Sequence, residues 1–403
     1  MIVHNWNFQI DPQRKAKMSK VMRKLGLATA ISVLATLSWA ETQGVADDEV
    51  IIGSVNDLSG IFAAVGVPAV KGANVVFERV NAEGGVHGRK IRYVVEDNGY
   101  QMPRAMQGYN KLLNRDKVFA MLQSLGTPMN LAGFKLLDPK GIPNVAPLTA
   151  SKMMLQEPVR NKFTSFSTYH DQSAAGVKYL ANQFGLKNVC TMYLPNEFGK
   201  EILEGSKAGA QEAGIAFIAE TTHKPDETNF VGSLSKLKEE GCEIVTMALG
   251  VSQTITVLGT ARKLGLADMK FLGTSAAFLT VVAQVPGGIT EGFYVAASWL
   301  DLWARAEEPA VAAFIEEYRE ATGEEPVGFS MLGYSSAVML VKALEAAGSN
   351  LTHDSFIAGM ESLNYFDELV GNHMTYSADD HQGADAVHIS VVENGAWKHL
   401  TSQ

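Results

Sequence analysis

The stretch Val50-Ile-Ile-Gly-Ser-Val-Asn-Asp-Leu-Ser-Gly60 decides how the rest of the chain is read. An apolar strand runs into a Ser-Gly turn, and a helix-like run follows to Asn81-Ala-Glu-Gly-Gly-Val-His-Gly-Arg89. A strand that feeds a helix this way exposes backbone N–H groups at the helix start, where aligned peptide dipoles favour an anionic group. The turn therefore reads as a wall of a small-molecule site.

The same alternation continues downstream. Apolar strands are expected at 50–55, 91–96, 119–123, 143–147, 163–168, 189–194, 216–221, 243–249, 270–273 and 292–298. Helices are expected at 69–81, 103–114, 129–137, 173–184, 201–213, 230–239, 253–264, 311–322, 330–347 and 353–362. Segments 386–393 and 396–400 form an apolar hairpin around Asn394-Gly395. This is the α/β pattern of mostly parallel sheets covered on both faces. Ligands of such sheets sit beyond the carboxyl ends of the strands. Four loops lie there: Asn56–Phe62, Ser124–Pro128, Pro147–Ser151 and Pro195–Gly199. Their hydroxyls and amides suit a carboxylate or amide without a full positive charge, and the same residues also make ordinary turns.

Ahead of the first strand, Met18 opens a basic segment with Lys20, Arg23 and Lys24, followed by an apolar run from Leu25 to Ala40. Small residues at Ser38-Trp39-Ala40, and again at Gly44-Val45-Ala46, suit a signal peptidase. The run is shorter than the ~20 residues that span a bilayer, so 18–40 reads as a signal peptide for periplasmic export and not as a membrane anchor. Residues 1–17 have no targeting logic and read as an over-extended start. Removing residues 1–40 leaves 363 residues and moves the formal net charge from −9 to −14. An acidic surface without a basic block disfavours nucleic acid and anionic membranes. A chain of this length is expected to form two lobes.

Cys190 and Cys242 open two expected strands. In an oxidising compartment they form either a disulfide or two buried thiols, and no histidine partner at ligand spacing points to zinc.

Leu58-Ser-Gly-Ile-Phe-Ala-Ala-Val-Gly66, Lys71-Gly-Ala73, Asn81 to Arg89, Glu96-Asp97-Asn98, Ser124 to Pro128, Gly141-Ile-Pro143, Phe198-Gly199, Ala261-Arg-Lys-Leu-Gly265 and Gly333-Tyr-Ser-Ser-Ala337 occur in this order. Together they resemble type I periplasmic solute-binding proteins of the branched-chain amino acid (leucine/isoleucine/valine-binding) ABC transporter family. The resemblance implies two doubly wound α/β lobes joined by three crossings, with a ligand cleft that closes by hinge motion. Lobe one would be 47–165 plus 302–374, and lobe two 168–296 plus 376–403. The implied crossings fall near Phe166–Thr168, Ala297–Asp301 and Thr375–Ser377.

The resemblance also implies roles. Ser124 and Thr127 would donate to a ligand carboxylate, Leu148 and Thr149 would add backbone groups, and Phe62 would wall the pocket. Tyr169, Phe198 and the Gly250 loop would close over ligand bound at the Ser124 and Ser151 loops. Ser275 falls near the position where amino-acid binders place an acid for the ligand ammonium, and no acid is present. Burying an unpaired ammonium is costly, so aromatic or other organic acids and amides join amino acids as expected ligands. Tyr100, Tyr169, Phe198 and Phe278 are candidate ring contacts.

No cofactor is implied. The implied partners are a small-molecule ligand and an inner-membrane ABC permease, with the binding protein a monomer. An enzyme is disfavoured because no nucleophile elbow, His-Glu-x-x-His helix or phosphate loop occurs, and Asp379-Asp380-His381 reads as a solvated loop. A ligand sensor of the amide-responsive type is the remaining alternative.

Overall fold

The computed structural model describes Thr42–Gln403. The signal peptide and over-extended start lie outside the described residues. The first sheet is built from β1 (Glu49–Asn56), α1 (Ala63–Ala82), β2 (Lys90–Asp97), α2 (Met102–Lys111), β3 (Ala120–Leu122), α3 (Thr127–Leu137), β4 (Asn144–Val145) and β5 (Lys162–Phe163). Its strand order is β2-β1-β3-β4-β5, all parallel. Strands buried on both faces read as apolar runs, which is why Val50, Ile52 and Val55 were legible. β5 ends at Phe163, short of the expected Thr168, because the Thr164 N–H turns to the His381 carbonyl (2.9 Å). Helix α1 starts six residues before the expected Ala69 and carries Pro68 inside it. The proline forfeits one intrahelical bond, and burial of Val65 and Ala69 offsets that loss.

The second sheet uses α4 (Tyr169–Phe184), β6 (Asn188–Tyr193), α5 (Glu197–Ala213), β7 (Ala216–Thr222), α6 (Val231–Glu239), β8 (Ile244–Ala248), α7 (Val251–Lys263), β9 (Lys270–Thr274), α8 (Thr280–Ala283) and β10 (Tyr294–Ala297). Strands β6 and β8 are parallel neighbours, so Cys190 and Cys242 are brought to a Cα separation of 5.8 Å and joined as a disulfide.

The chain then returns to the first sheet through α9 (Pro309–Thr322), α10 (Gly328–Ala347) and α11 (His353–Glu361). Helix α10 crosses α1 so closely that a Cβ at Gly333 would meet the Ala69 carbonyl oxygen at 2.0 Å. A hairpin, β11 (Asn364–Asp367) and β12 (Asn372–Thr375), follows and was not expected from the sequence. Its turn is local chemistry: the Asp367 carboxylate accepts the Leu369 and Val370 N–H groups. Finally β13 (His388–Glu393) and β14 (Ala396–Ser402) complete the second sheet, order β14-β13-β10-β9-β8-β6-β7. Asn394 and Gly395 both have positive φ (55° and 74°), as the expected two-residue turn requires.

Three passages of chain connect the sheets, and they are bonded side by side. The Ser167 and Ser298 hydroxyls are 2.6 Å apart, and Ser167 also donates to the Ala386 carbonyl (3.0 Å).

Candidate ligand-binding cleft

The turn after β1 is not an open anion site. The Asp57 carboxylate accepts the N–H groups of Ser59, Gly60 and Phe62, and Asp97 takes that of Leu58 (2.9 Å). The chain supplies its own anion to its own donors. What the rigid turn presents to the cleft is the Phe62 ring.

Facing loops of the two sheets line a pocket. From the first sheet come Phe62, Val65, Tyr100, Leu125, Gly126, Thr127, Leu148, Thr149 and Ala150, and from the second Tyr169, Phe198, Ser275 and Ala276. Phe166 and Trp299 enter from the passages between sheets, and Phe329 from the start of α10. Seven of these side chains are aromatic and none is charged. The rings pack in two groups. Phe62 meets Tyr100 with centroids 4.8 Å apart and Phe198 at 6.0 Å, Tyr169 meets Phe198 at 5.1 Å, and Trp299 meets Phe166 at 5.3 Å and Phe329 at 5.6 Å.

The polar end is small. Thr127 is the first residue of α3, and Gly126 ahead of it has φ 101°, a conformation that side chains other than glycine rarely adopt. The Thr127 and Thr149 hydroxyls are 2.7 Å apart and share one hydrogen bond, which leaves one hydroxyl hydrogen for a guest. The Thr127 N–H belongs to the unpaired first turn of α3, where the helix dipole favours negative charge. A carboxylate is the group this end suits. Burial pushes the Tyr169 phenol up to about 12, which keeps it a neutral donor.

Seven of the nine expected site residues line this pocket: Phe62, Thr127, Leu148, Thr149, Tyr169, Phe198 and Ser275. Ser124 does not. It is fully buried beneath the loop, its hydroxyl accepts the Val55 N–H (3.3 Å), and its carbonyl accepts Leu148 N–H and Asn130 Nδ2. Gly250 stands outside the pocket against Ile61, where a Cβ would lie 3.3 Å from that side chain, so its loop meets the opposite loop and not a guest. Phe278 is buried behind the wall against Trp299 and Trp397. Sequence reasoning missed Phe166, Trp299 and Phe329. The first two lie in the segments expected to cross between lobes, a location that carried the signal.

The loops also bond across the cleft. The Glu201 carboxylate of α5 accepts the Ser151 hydroxyl and the Lys152 N–H from the loop after β4. Burial holds this carboxyl above the ordinary glutamate range. Among the described residues, no group of three potential metal ligands occurs and no helix is long and apolar enough to cross a membrane.

A family model described as periplasmic binding protein matches residues 49–396. The amino acid binding protein of Pseudomonas aeruginosa is 24% identical over 332 residues, covering 82% of this chain and 86% of its own. A fatty acid ABC transporter substrate-binding protein from Thermomonospora curvata superposes with a TM-score of 0.80 at 24% identity, covering 89% of this chain and 93% of that one. A solute-binding protein of an ABC transporter from R. palustris, in complex with benzoate, gives 0.78 at 17% identity, covering 88% and 96%.

Proposed function

The chain belongs to the periplasmic binding protein family, and from that premise we propose that it captures an apolar organic acid in the cleft and delivers it to an inner-membrane ABC permease. It is a binding protein and not an enzyme. The observation that carries the ligand reading is the pocket lining, seven aromatic side chains with no charged one. A ligand carboxylate would be held by the Thr127 N–H and the free hydroxyl hydrogen of the Thr127–Thr149 pair. An α-ammonium would be buried without a carboxylate partner, at a cost of several kcal/mol. Asp57 and Glu201 do not fill that role, since each is outside the lining and already occupied by donors of the chain.

The benzoate complex and the fatty acid binding protein among the similar structures support an acid without an ammonium. The name of the Pseudomonas aeruginosa relative favours an α-amino acid instead. In the proposed cycle, lobe one (47–165 plus 302–374) and lobe two (168–296 plus 376–403) open about the three passages, acid binds to the first, and closure brings Tyr169 and Phe198 over it. Export by the 18–40 segment would place the protein in the periplasm.

Thermal-shift screening of the mature protein against aromatic acids, aliphatic acids, amides and amino acids tests the reading, because a cleft ligand stabilises the native state by mass action. Apolar acids are expected to raise the melting temperature. A library in which only amino acids or only amides do so would overturn the proposal.

A further inference from the structure

A second cavity lies behind the first. Phe166 and Trp299 line both, so one aromatic pair, with centroids 5.3 Å apart, is all that both cavities share as a wall. The Trp299 ring is buried among Phe278 and Phe329. Phe166 is only partly buried, although it is aromatic and central. It borders open space, whereas Trp299 does not.

From this arrangement we infer that the binding site continues past Phe166 into the second cavity and accepts the hydrocarbon tail of a long-chain monocarboxylic acid. The inference rests on the proposed reading of the first cavity as an acid site. Thr127 and Thr149 line only the first cavity, and Leu332, Met339, Val370 and Met374 only the second. A molecule gripped by its carboxylate at the threonines reaches the second cavity with its apolar end.

The second cavity is suited to a tail. No charged side chain lines it. Most of its polar groups are bonded within the protein: Ser298 to Ser167 (2.6 Å), Ser336 to the Leu332 carbonyl (2.7 Å), Ser335 to Asp367, and Asn372 to the Ser298 carbonyl and His388, while Ser165 has a long contact to Tyr376 (3.4 Å). Methylenes laid against them displace no necessary partner. Met339 and Met374 have unbranched thioether chains that adapt to the shape of a guest. A cavity that merely gives the passages between sheets room to bend would hold water and be indifferent to tail length.

Calorimetric titration of the mature protein with benzoate, hexanoate, octanoate and decanoate separates the two. Each buried methylene is expected to tighten binding about fourfold, so affinity climbs from hexanoate to decanoate. Leu332→Phe and Val370→Phe, which fill the second cavity from different elements, are expected to leave benzoate and hexanoate unchanged and to weaken decanoate by about tenfold or more. Retained benzoate binding reports that a variant is folded, and the wild-type slope stands on its own if one variant is not. An equal affinity for hexanoate and decanoate in the wild type, or variants that hold decanoate as the wild type does, would overturn the tail site. A protein that binds no acid of any length would instead overturn the reading of the first cavity and the tail site with it.

Discussion

Glu201 and Ser151 are bonded across the cleft, the carboxylate on α5 of the second sheet and the hydroxyl on the loop after β4 of the first. The Lys152 N–H (2.9 Å) also comes from the opposite side. The contact exists only when the two sides are together, so it acts on closure more than on the fold of either side. Glu201→Ala is expected to weaken acid binding by about tenfold or more, the value of hydrogen bonds to a charged group, as read by calorimetry.

The same carboxyl gives binding a pH dependence. Burial raises its pKa in this structure, and opening of the cleft is expected to expose it and restore the ordinary value. Closure therefore takes up a proton, and the penalty for closing over an ionised Glu201 is relieved as pH falls toward its raised pKa. Benzoate affinity is expected to rise as pH falls below neutrality. Glu201→Gln should remove that component.

Thr127 and Ser124 sit in one loop and are expected to separate binding from stability. Thr127→Val removes part of the proposed carboxylate grip and should cost roughly tenfold in benzoate affinity. Ser124→Ala leaves the buried Val55 N–H without its acceptor, so it should cost about 1–3 kcal/mol of stability with affinity unchanged. Calorimetry and chemical denaturation on both variants make the comparison.

The Cys190–Cys242 disulfide closes a long loop, with a sequence separation of 52. Loop entropy on that scale corresponds to about 4 kcal/mol. The double variant Cys190→Ala/Cys242→Ala is expected to denature at markedly lower urea concentration while keeping its ligand preference.

His388 is buried between Asn372 and Ser402, and burial, with His399 and Arg305 nearby, pushes its ring down to about 4. The unfolded chain binds this proton first. Stability is therefore lost as pH falls from about 6.5 toward about 4, at up to about 1.4 kcal/mol per pH unit. Melting curves across that range should show the loss, and His388→Gln should flatten part of it.

The parallel strands were legible because burial on both faces leaves an apolar run that needs no partner to be seen. Thr127, Thr149, Tyr169 and Phe198 line the pocket from loops and helix starts beyond the strands, and the family resemblance, not periodicity, pointed to them. Ser124 misled because a hydroxyl in a loop looks the same whether it faces a guest or caps a neighbouring strand, as it does with Val55. The Asp57 turn misled for a related reason: the sequence displays the donors, and only the fold shows that a carboxylate two residues before Ser59 already holds them. The β11–β12 hairpin was hidden because its register is set by the Asp367 turn and by partial burial, not by alternating apolar residues.

The central claim is that the cleft takes a carboxylate and has no place for an ammonium. The matched pair 3-phenylpropanoate and phenylalanine differs in that ammonium, and calorimetric titration of both into the mature protein tests the claim most directly. Desolvating an unpaired ammonium costs several kcal/mol, so 3-phenylpropanoate is expected to bind more tightly by about two orders of magnitude or more. Phenylalanine binding as tightly as its deaminated partner, or more tightly, would contradict the account.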